Sequence, residues 1–293
     1  PAQDQDLAVD LLGDVLCDPA LRAADVETER RVILEELHLQ EDDPGDVGAS
    51  LLDEALFPGH ALGREVLGTR DTVEKLDRDE IAAFHHETPG AGITVLFAHG
   101  NAEDLGHGTG HAERYAQLGV SVLSFEYPGY GLSSGKPTEP GTYAAADAAY
   151  RYLREQVGLE SGAIIAHGRS LGGGGMVDLA SRLPVGGLII ESSFVSVYRV
   201  LTRAPLLPVD QFKSLAKLSD VAAPALVIHG QRDEVIAPWH GRRLFRALPE
   251  SRRSSLWVER AGHNDLAQVA GQSYWDALAA FTASVDDALR ATS

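Results

Sequence analysis

The residues with the clearest chemical potential are Gly168-Arg169-Ser170-Leu171-Gly172. A serine hydroxyl becomes a useful nucleophile only when a neighbouring base takes its proton, and acyl transfer then leaves a negative oxygen to be stabilised. A serine flanked by glycines at this spacing, between a buried strand and a helix, sits on a sharp turn that exposes its oxygen. The helix that follows points its positive dipole end toward the developing charge. A base and a group to orient it stand downstream, in the order serine, aspartate, histidine. Asp233 closes His229-Gly230-Gln231-Arg232-Asp233, and His263 lies in Ala261-Gly262-His263-Asn264-Asp265. In such a set His263 accepts the hydroxyl proton and Asp233 holds the imidazole in the tautomer that can do so.

The oxyanion needs N–H donors. The backbone N–H of Leu171 is one, and Asn101 (or Ala102), in the loop His99-Gly100-Asn101-Ala102-Glu103-Asp104-Leu105-Gly106, supplies the other. Gly100 lets that backbone come close to substrate, so Gly100, Ala102, Tyr127 and Tyr130 are expected to border the bound acyl group, while His99 is expected to support the loop. Gly172 to Gly175 lack the lysine and hydroxyl residue of a phosphate loop. His107 and His111 lie among glycines and are expected in a solvent loop rather than on a metal. No metal and no cofactor is predicted. His85-His86-Glu87 reads as a helix end, where imidazoles suit the helix dipole.

The elements that must position these residues can be read from hydrophobic period. The runs 93–98, 120–125, 162–166, 187–190 and 225–228 are short and nearly continuously apolar, as strands buried on both faces are, and 254–259 completes the set. Helical stretches 143–155, 171–182, 240–248 and 272–289 alternate with them. The fold class is therefore α/β, with about six parallel strands and right-handed crossovers. Ser170, Asp233 and His263 each follow a strand and meet at one rim of the sheet. A small lid is expected over about 193–222, with Phe194, Tyr198, Leu201, Leu206, Leu207 and Phe212 in it. Residues 1–87 instead read as helices throughout, among them 24–40 and 79–86.

Charge divides the chain at the same place. The 293 residues carry a formal net charge of −18, yet residues 1–87 hold 23 acidic against 7 basic side chains and residues 88–293 hold 20 against 18. The expected domains are 1–87, acidic and helical, and 88–293, catalytic. An acidic chain is a poor partner for nucleic acid or an anionic membrane. No apolar run reaches the ~18 residues of a membrane span. The single cysteine, Cys17, leaves no internal disulfide and points to a reducing, cytoplasmic setting.

With these residues in view, 91–289 resembles the α/β-hydrolases. His99-Gly-Asn-Ala-Glu-Asp-Leu-Gly106, Tyr127-Pro-Gly-Tyr-Gly131, Ser134-Gly-Lys-Pro-Thr138, His229-Gly-Gln-Arg-Asp-Glu-Val235 and Gly262-His-Asn-Asp265 are similar to the branch holding the domain-17 type depalmitoylases and their bacterial relatives. The resemblance implies a cofactor-free serine hydrolase of carboxylic esters or thioesters. It also implies an antiparallel hairpin before the strand at Ile93, where the periodicity predicts helices, so the first hairpin is expected to be missing and the 120–125 strand to lie at an edge. Residues 6–87 resemble an internal stretch of the pitrilysin/insulinase-type zinc peptidases, through Asp25-Val-Glu-Thr-Glu29-Arg-Arg-Val-Ile-Leu-Glu-Glu36-Leu, Phe57-Pro-Gly-His-Ala-Leu-Gly-Arg64 and Leu67-Gly-Thr-Arg70. In that family Glu36 matches a zinc ligand and Glu29 its acidic neighbour. The His-x-x-Glu-His supplying the other two ligands is absent, and one carboxylate cannot make a three-ligand site.

The function expected is a serine hydrolase acting on a small-molecule or acyl-group substrate through an acyl-enzyme on Ser170. Two alternatives stand beside it: a peptidase or acyltransferase using the same three residues, and a catalytically impaired interaction module whose geometry is disturbed by the missing hairpin and the acidic helices.

Overall fold

The computed structural model describes residues 30–35, 38, 47, 81–101, 103–131, 133, 135–201 and 210–292. The chain divides into two compact units, Pro1–Glu80 and Ile81–Ser293. In the first unit residues 30–35 are helical, within the stretch where a helix is expected. The other expectations for residues 1–80, Glu29 and Glu36 among them, fall outside the described residues.

The second unit is a seven-stranded sheet: β1 (Ala83–His86), β2 (Thr94–Ala98), β3 (Ser121–Phe125), β4 (Ile164–Arg169), β5 (Gly187–Glu191), β6 (Ala225–Gly230) and β7 (Arg253–Val258). Their order is β1-β3-β2-β4-β5-β6-β7. Strands β2 to β7 run parallel, giving the six parallel strands expected, and β1 pairs antiparallel with β3. Five helices of eight residues or more flank them: α1 (Leu105–Gln117), α2 (Glu139–Arg151), α3 (Leu171–Arg182), α4 (Trp239–Ala247) and α5 (Gln272–Thr292).

Alternate residues of each strand feed opposite cores. Leu96, Leu123, Ile190 and Val227 pack under α2, α3 and α4. Val95, Phe97, Val122, Ile189 and Ile228 pack on the other face against Tyr115 of α1 and Tyr274, Leu278 and Phe281 of α5. Burial on both faces is why β2 to β6 read as continuous apolar runs. No helix among the described residues is long and apolar enough to cross a membrane.

Two expectations are corrected. Residues 83–86 form a strand, so one arm of the antiparallel hairpin is present and covers the edge of β3. The Glu126 N–H donates to Ala82 O at 2.9 Å, and the Ala82 N–H donates to Ser133 Oγ at 3.0 Å, fixing β1 at its start. Past its end Thr88 Oγ1 donates to Val120 O at 3.0 Å. His85 and His86 are therefore strand residues; the His85 ring meets Tyr152 edge-on. The stretch from Leu105, expected as a loop around His107 and His111, is helix α1. Its glycines weaken the helix signal, but Ala112 and Tyr115 bury one face against the sheet.

Candidate active site

The turn from β4 into α3 puts Ser170 at φ 52°, ψ −113°. A side chain in this region costs about 1–3 kcal/mol, a strain that surrounding structure must hold. It is held on three sides. Ser170 N–H donates to Glu191 O (2.8 Å), Ser193 Oγ donates to Ser170 O (2.8 Å), and Gly172 N–H donates to His99 O (3.1 Å). The flanking glycines are required by closeness. A Cβ on Gly168 would lie 2.3 Å from Gly172 O, and one on Gly172 would lie 2.1 Å from Ala98 O.

The loops after β6 and β7 bring the other two residues to the serine. His263 Nε2 stands 3.1 Å from Ser170 Oγ, and His263 Nδ1 stands 2.8 Å from Asp233 Oδ2. Asp233 is buried, and its Oδ1 accepts the N–H groups of Val235 (3.0 Å) and Ile236 (2.7 Å). His229 Nε2 lies 3.5 Å from the same Oδ2 but donates to Ile236 O at 2.8 Å. Burial pushes His229 below its usual pKa, keeping it neutral. Asp233 Oδ2 thus has His263 Nδ1 as its hydrogen-bond partner at 2.8 Å, while His229 is engaged with Ile236 O.

The Gly172–His99 bond seats the loop after β2, which carries Asn101, against the first turn of α3, which carries Leu171. Gly100 is buried and its N–H donates to Glu103 Oε2 at 2.7 Å, whereas Asn101 is exposed. The Tyr130 hydroxyl donates to Asn101 Oδ1, so Tyr130 steadies that residue. Tyr127, expected to border the substrate, is fully buried and donates its hydroxyl to His99 O at 2.6 Å. It lies beneath the loop, not facing substrate. His99 supports the loop as expected: Nε2 contacts Glu126 Oε2 at 3.1 Å and Nδ1 contacts Gly100 O at 2.9 Å. Ala102 lies outside the described residues, as do 202–209 of the expected lid. The described flanks of that lid place Phe194 and Phe212 in a buried apolar cluster with Ile236, against which Leu171 packs.

Sequence reasoning passed over Arg169, Glu103 and Glu191. A cavity of about 200 Å³ behind His263 is lined by all three, with His111, Asn264 and Phe97. Glu191 ends β5 fully buried. Burial raises its pKa, but the hydrogen bond to His167 and the cations around it outweigh that and hold it down to about 2. Its Oε2 lies 3.1 Å from His167 Nε2 and 2.7 Å from the Tyr274 hydroxyl. Tyr115 and Tyr274 are buried, with pKa values driven well up, so both phenols keep their protons. The Tyr115 hydroxyl lies 2.8 Å from His167 Nδ1, so both ring nitrogens of His167 have partners, one in Tyr115 and the other in Glu191. The signal in the sequence was Arg169 itself, lodged inside the serine pentapeptide.

No family model matches the chain. Among curated proteins it is similar to the alpha/beta hydrolase domain-containing protein 17C of Homo sapiens, at 43% identity over 185 residues, or 61% of this chain and 55% of that protein. It is also similar to alpha/beta hydrolase domain-containing protein aho-3 of Caenorhabditis elegans, at 39% identity over 207 residues, covering 70% of this chain and 61% of the other. The chain thus spans little more than half the length of these relatives. Among solved structures it is similar to a monoacylglycerol lipase of Paleococcus ferrophilus, with TM-score 0.56 and 20% identity, covering 70% of this chain and 99% of that one. An esterase of Pyrococcus furiosus matches with TM-score 0.59 and 17% identity, covering 69% of this chain and 86% of its own. The fold is that of the α/β-hydrolases. The zinc-peptidase resemblance of residues 6–87 finds no support in these matches.

Proposed function

We propose that the chain is a serine hydrolase that cleaves carboxylic esters or thioesters through an acyl-enzyme on Ser170. One observation carries this reading: the unbroken path from Ser170 Oγ through both nitrogens of His263 to Asp233, joined at 3.1 and 2.8 Å. With Nδ1–H donated to Asp233, Nε2 is free to take the serine proton as Oγ attacks the acyl carbon. The N–H groups of Leu171 and Asn101 receive the negative oxygen, and the dipole of α3 adds to them. The imidazolium returns its proton to the leaving alkoxide or thiolate. A water deprotonated by His263 then releases the acid, with no metal or cofactor in any step.

An acyl substrate is supported by the apolar cluster of Phe194, Phe212 and Ile236 at Leu171, and by lipase and esterase names among the structural relatives. The impaired-module alternative rests on a missing hairpin and on the acidic helices of residues 1–87. Strand β1 at the edge of β3 weakens it. A reducing cytoplasm suits the lone thiol of Cys17.

The test is covalent labelling by an alkyl fluorophosphonate together with turnover of p-nitrophenyl esters of graded chain length and their anilide counterparts. Labelling and ester turnover lost in Ser170→Ala are expected. Folded wild-type chain that neither labels nor turns over would sink the proposal, and anilides cleaved faster than esters would move it to a peptidase.

A further inference from the structure

Arg169 is the residue on which two loops and a strand end converge. Its side chain is 11% exposed. Nη1 donates to Glu103 in the loop after β2. Nη2 donates to His263 O at 3.2 Å and to Asn264 Oδ1 at 3.1 Å, both in the loop after β7. Nε lies 3.6 Å from Glu191 Oε1 at the end of β5. Glu103 passes the connection on, since its other oxygen accepts the Gly100 N–H beside Asn101.

These loops carry separate halves of the chemistry. One bears the base, His263; the other bears the oxyanion donor at Asn101. Their relative placement decides whether proton transfer and charge stabilisation occur at the same carbonyl. Resting on the serine-hydrolase reading, we infer that Arg169 is a positioning residue that locks the His263 loop and the Gly100–Asn101 loop into one geometry about Ser170.

The chemistry of the side chain suits the task. Guanidinium is planar, with donors in a fixed fork, so one residue can hold partners in several directions at set angles. Lysine is a point charge on a flexible stem and cannot reproduce that fork. Glu191 anchors the far side, itself held by His167 and Tyr274. The charge balance also fits. Two carboxylates, Glu103 and Glu191, face the one cation, so Arg169 does not oppose the imidazolium that His263 must become. On the serine-hydrolase reading, the acyl group lies at the cluster around Leu171, so loss of Arg169 acts on rate rather than on affinity.

The experiment uses the full chain and compares wild type with Arg169→Gln, Arg169→Lys and Glu103→Gln. Arg290→Gln, which removes an exposed ion pair on α5, is the control. Phosphonate labelling rate, kcat, KM and urea midpoint are measured for each. Displacing a reacting group by ~1 Å costs on the order of 100-fold. Arg169→Gln is expected to lower kcat and labelling rate together by about 10- to 100-fold, with KM within about twofold. Arg169→Lys should not restore the rate, and Glu103→Gln should show a smaller loss of the same kind. Arg290→Gln should match wild type. A folded Arg169→Gln with wild-type kcat overturns the inference, as does a loss confined to KM. If Arg169→Gln does not fold, Glu103→Gln decides: a folded Glu103→Gln with wild-type kcat overturns it. Wild-type labelling beside an unchanged Arg169→Gln removes only this inference, whereas wild type that does not label removes the serine-hydrolase reading and this inference with it.

Discussion

Asp233 Oδ2 lies 2.8 Å from His263 Nδ1, although 30 residues and a whole strand separate the two. This pairing sets the protonation pattern of the ring. A carboxylate can only accept at that point, so Nδ1 carries the hydrogen and Nε2 presents a lone pair to Ser170. The other carboxylate oxygen is tied to two backbone N–H groups, which keeps the side chain from turning away.

Asp233→Asn should therefore remove activity without unfolding the site. An amide in the same place can keep its carbonyl on the Val235 and Ile236 N–H groups, leaving its NH2 toward His263. That donor favours the wrong tautomer, with the hydrogen on Nε2. The expected loss in kcat is up to ~10⁴-fold, with the urea midpoint close to wild type. Ester turnover and denaturation of one preparation check it. A variant retaining half the wild-type kcat would show that His263 is oriented by something else.

Gly172→Ala tests the packing beneath the serine. The new methyl would stand 2.1 Å from Ala98 O and 2.8 Å from His99 O, both backbone atoms that cannot swing aside. Either α3 retreats from β2 or the His99 loop moves, and both break the Gly172–His99 hydrogen bond. We expect a stability loss of about 1–3 kcal/mol and a phosphonate labelling rate well below that of wild type. Urea titration and timed labelling measure the two effects separately. Wild-type values for both would show that the close approach is not needed.

How much of this could be read from the residues alone depended on burial. Strands β2 to β6 are covered on both faces, so their apolar runs announced them, and the run 171–182 coincides with α3. Ser170 and Asp233 could be placed at one rim because each follows such a strand, and His263 because it follows the partly exposed β7 beside them. Ala83–His86 gave no such signal. It is a four-residue edge strand, half-buried, with two histidines, and its partner β3 lies some 40 residues on. Helix α1 was hidden by Gly106 and Gly110, and owes its existence to Tyr115 packing under the sheet. Arg169 was visible but its contacts were not, because Glu103, Glu191 and Asn264 come from two loops and a strand end that only the folded sheet brings together.

Buried histidines make stability depend on acid. Burial draws His240 from 6.5 down to about 4, and it also lowers His229 and His111. The folded-state values lie below the unfolded ones. At His240 the unfolded chain therefore takes up a proton near pH 6.5 that the native state refuses until about pH 4. Stability from His240 is fully present above pH 6.5 and is lost as pH falls toward about 4, and the lowered His229 and His111 act in the same direction. Melting temperature should drop steadily across that window. His240→Asn should flatten the slope, since an amide oxygen can still accept the Val195 N–H that His240 Nδ1 takes at 3.2 Å. Scanning calorimetry at stepped pH measures it. A slope unchanged in the variant would move the effect to other groups.

Two shortened chains, one starting at Ile81 and one at Thr88, separate the contribution of β1 from everything before it. The first keeps the strand; the second leaves β3 with an unpaired edge from Val122 to Phe125. It also loses Phe84, which packs on the core formed by Val122 and Tyr115. Burying a phenylalanine is worth about 1.5–3 kcal/mol, part of which is forfeited here. An open edge is in addition a template for pairing with another chain. The chain from Thr88 should unfold at lower urea and associate with rising concentration, while the chain from Ile81 remains dispersed. Light scattering and urea titration at matched concentrations provide the comparison. If the two behave alike, β1 is dispensable and the edge of β3 is protected by its own sequence.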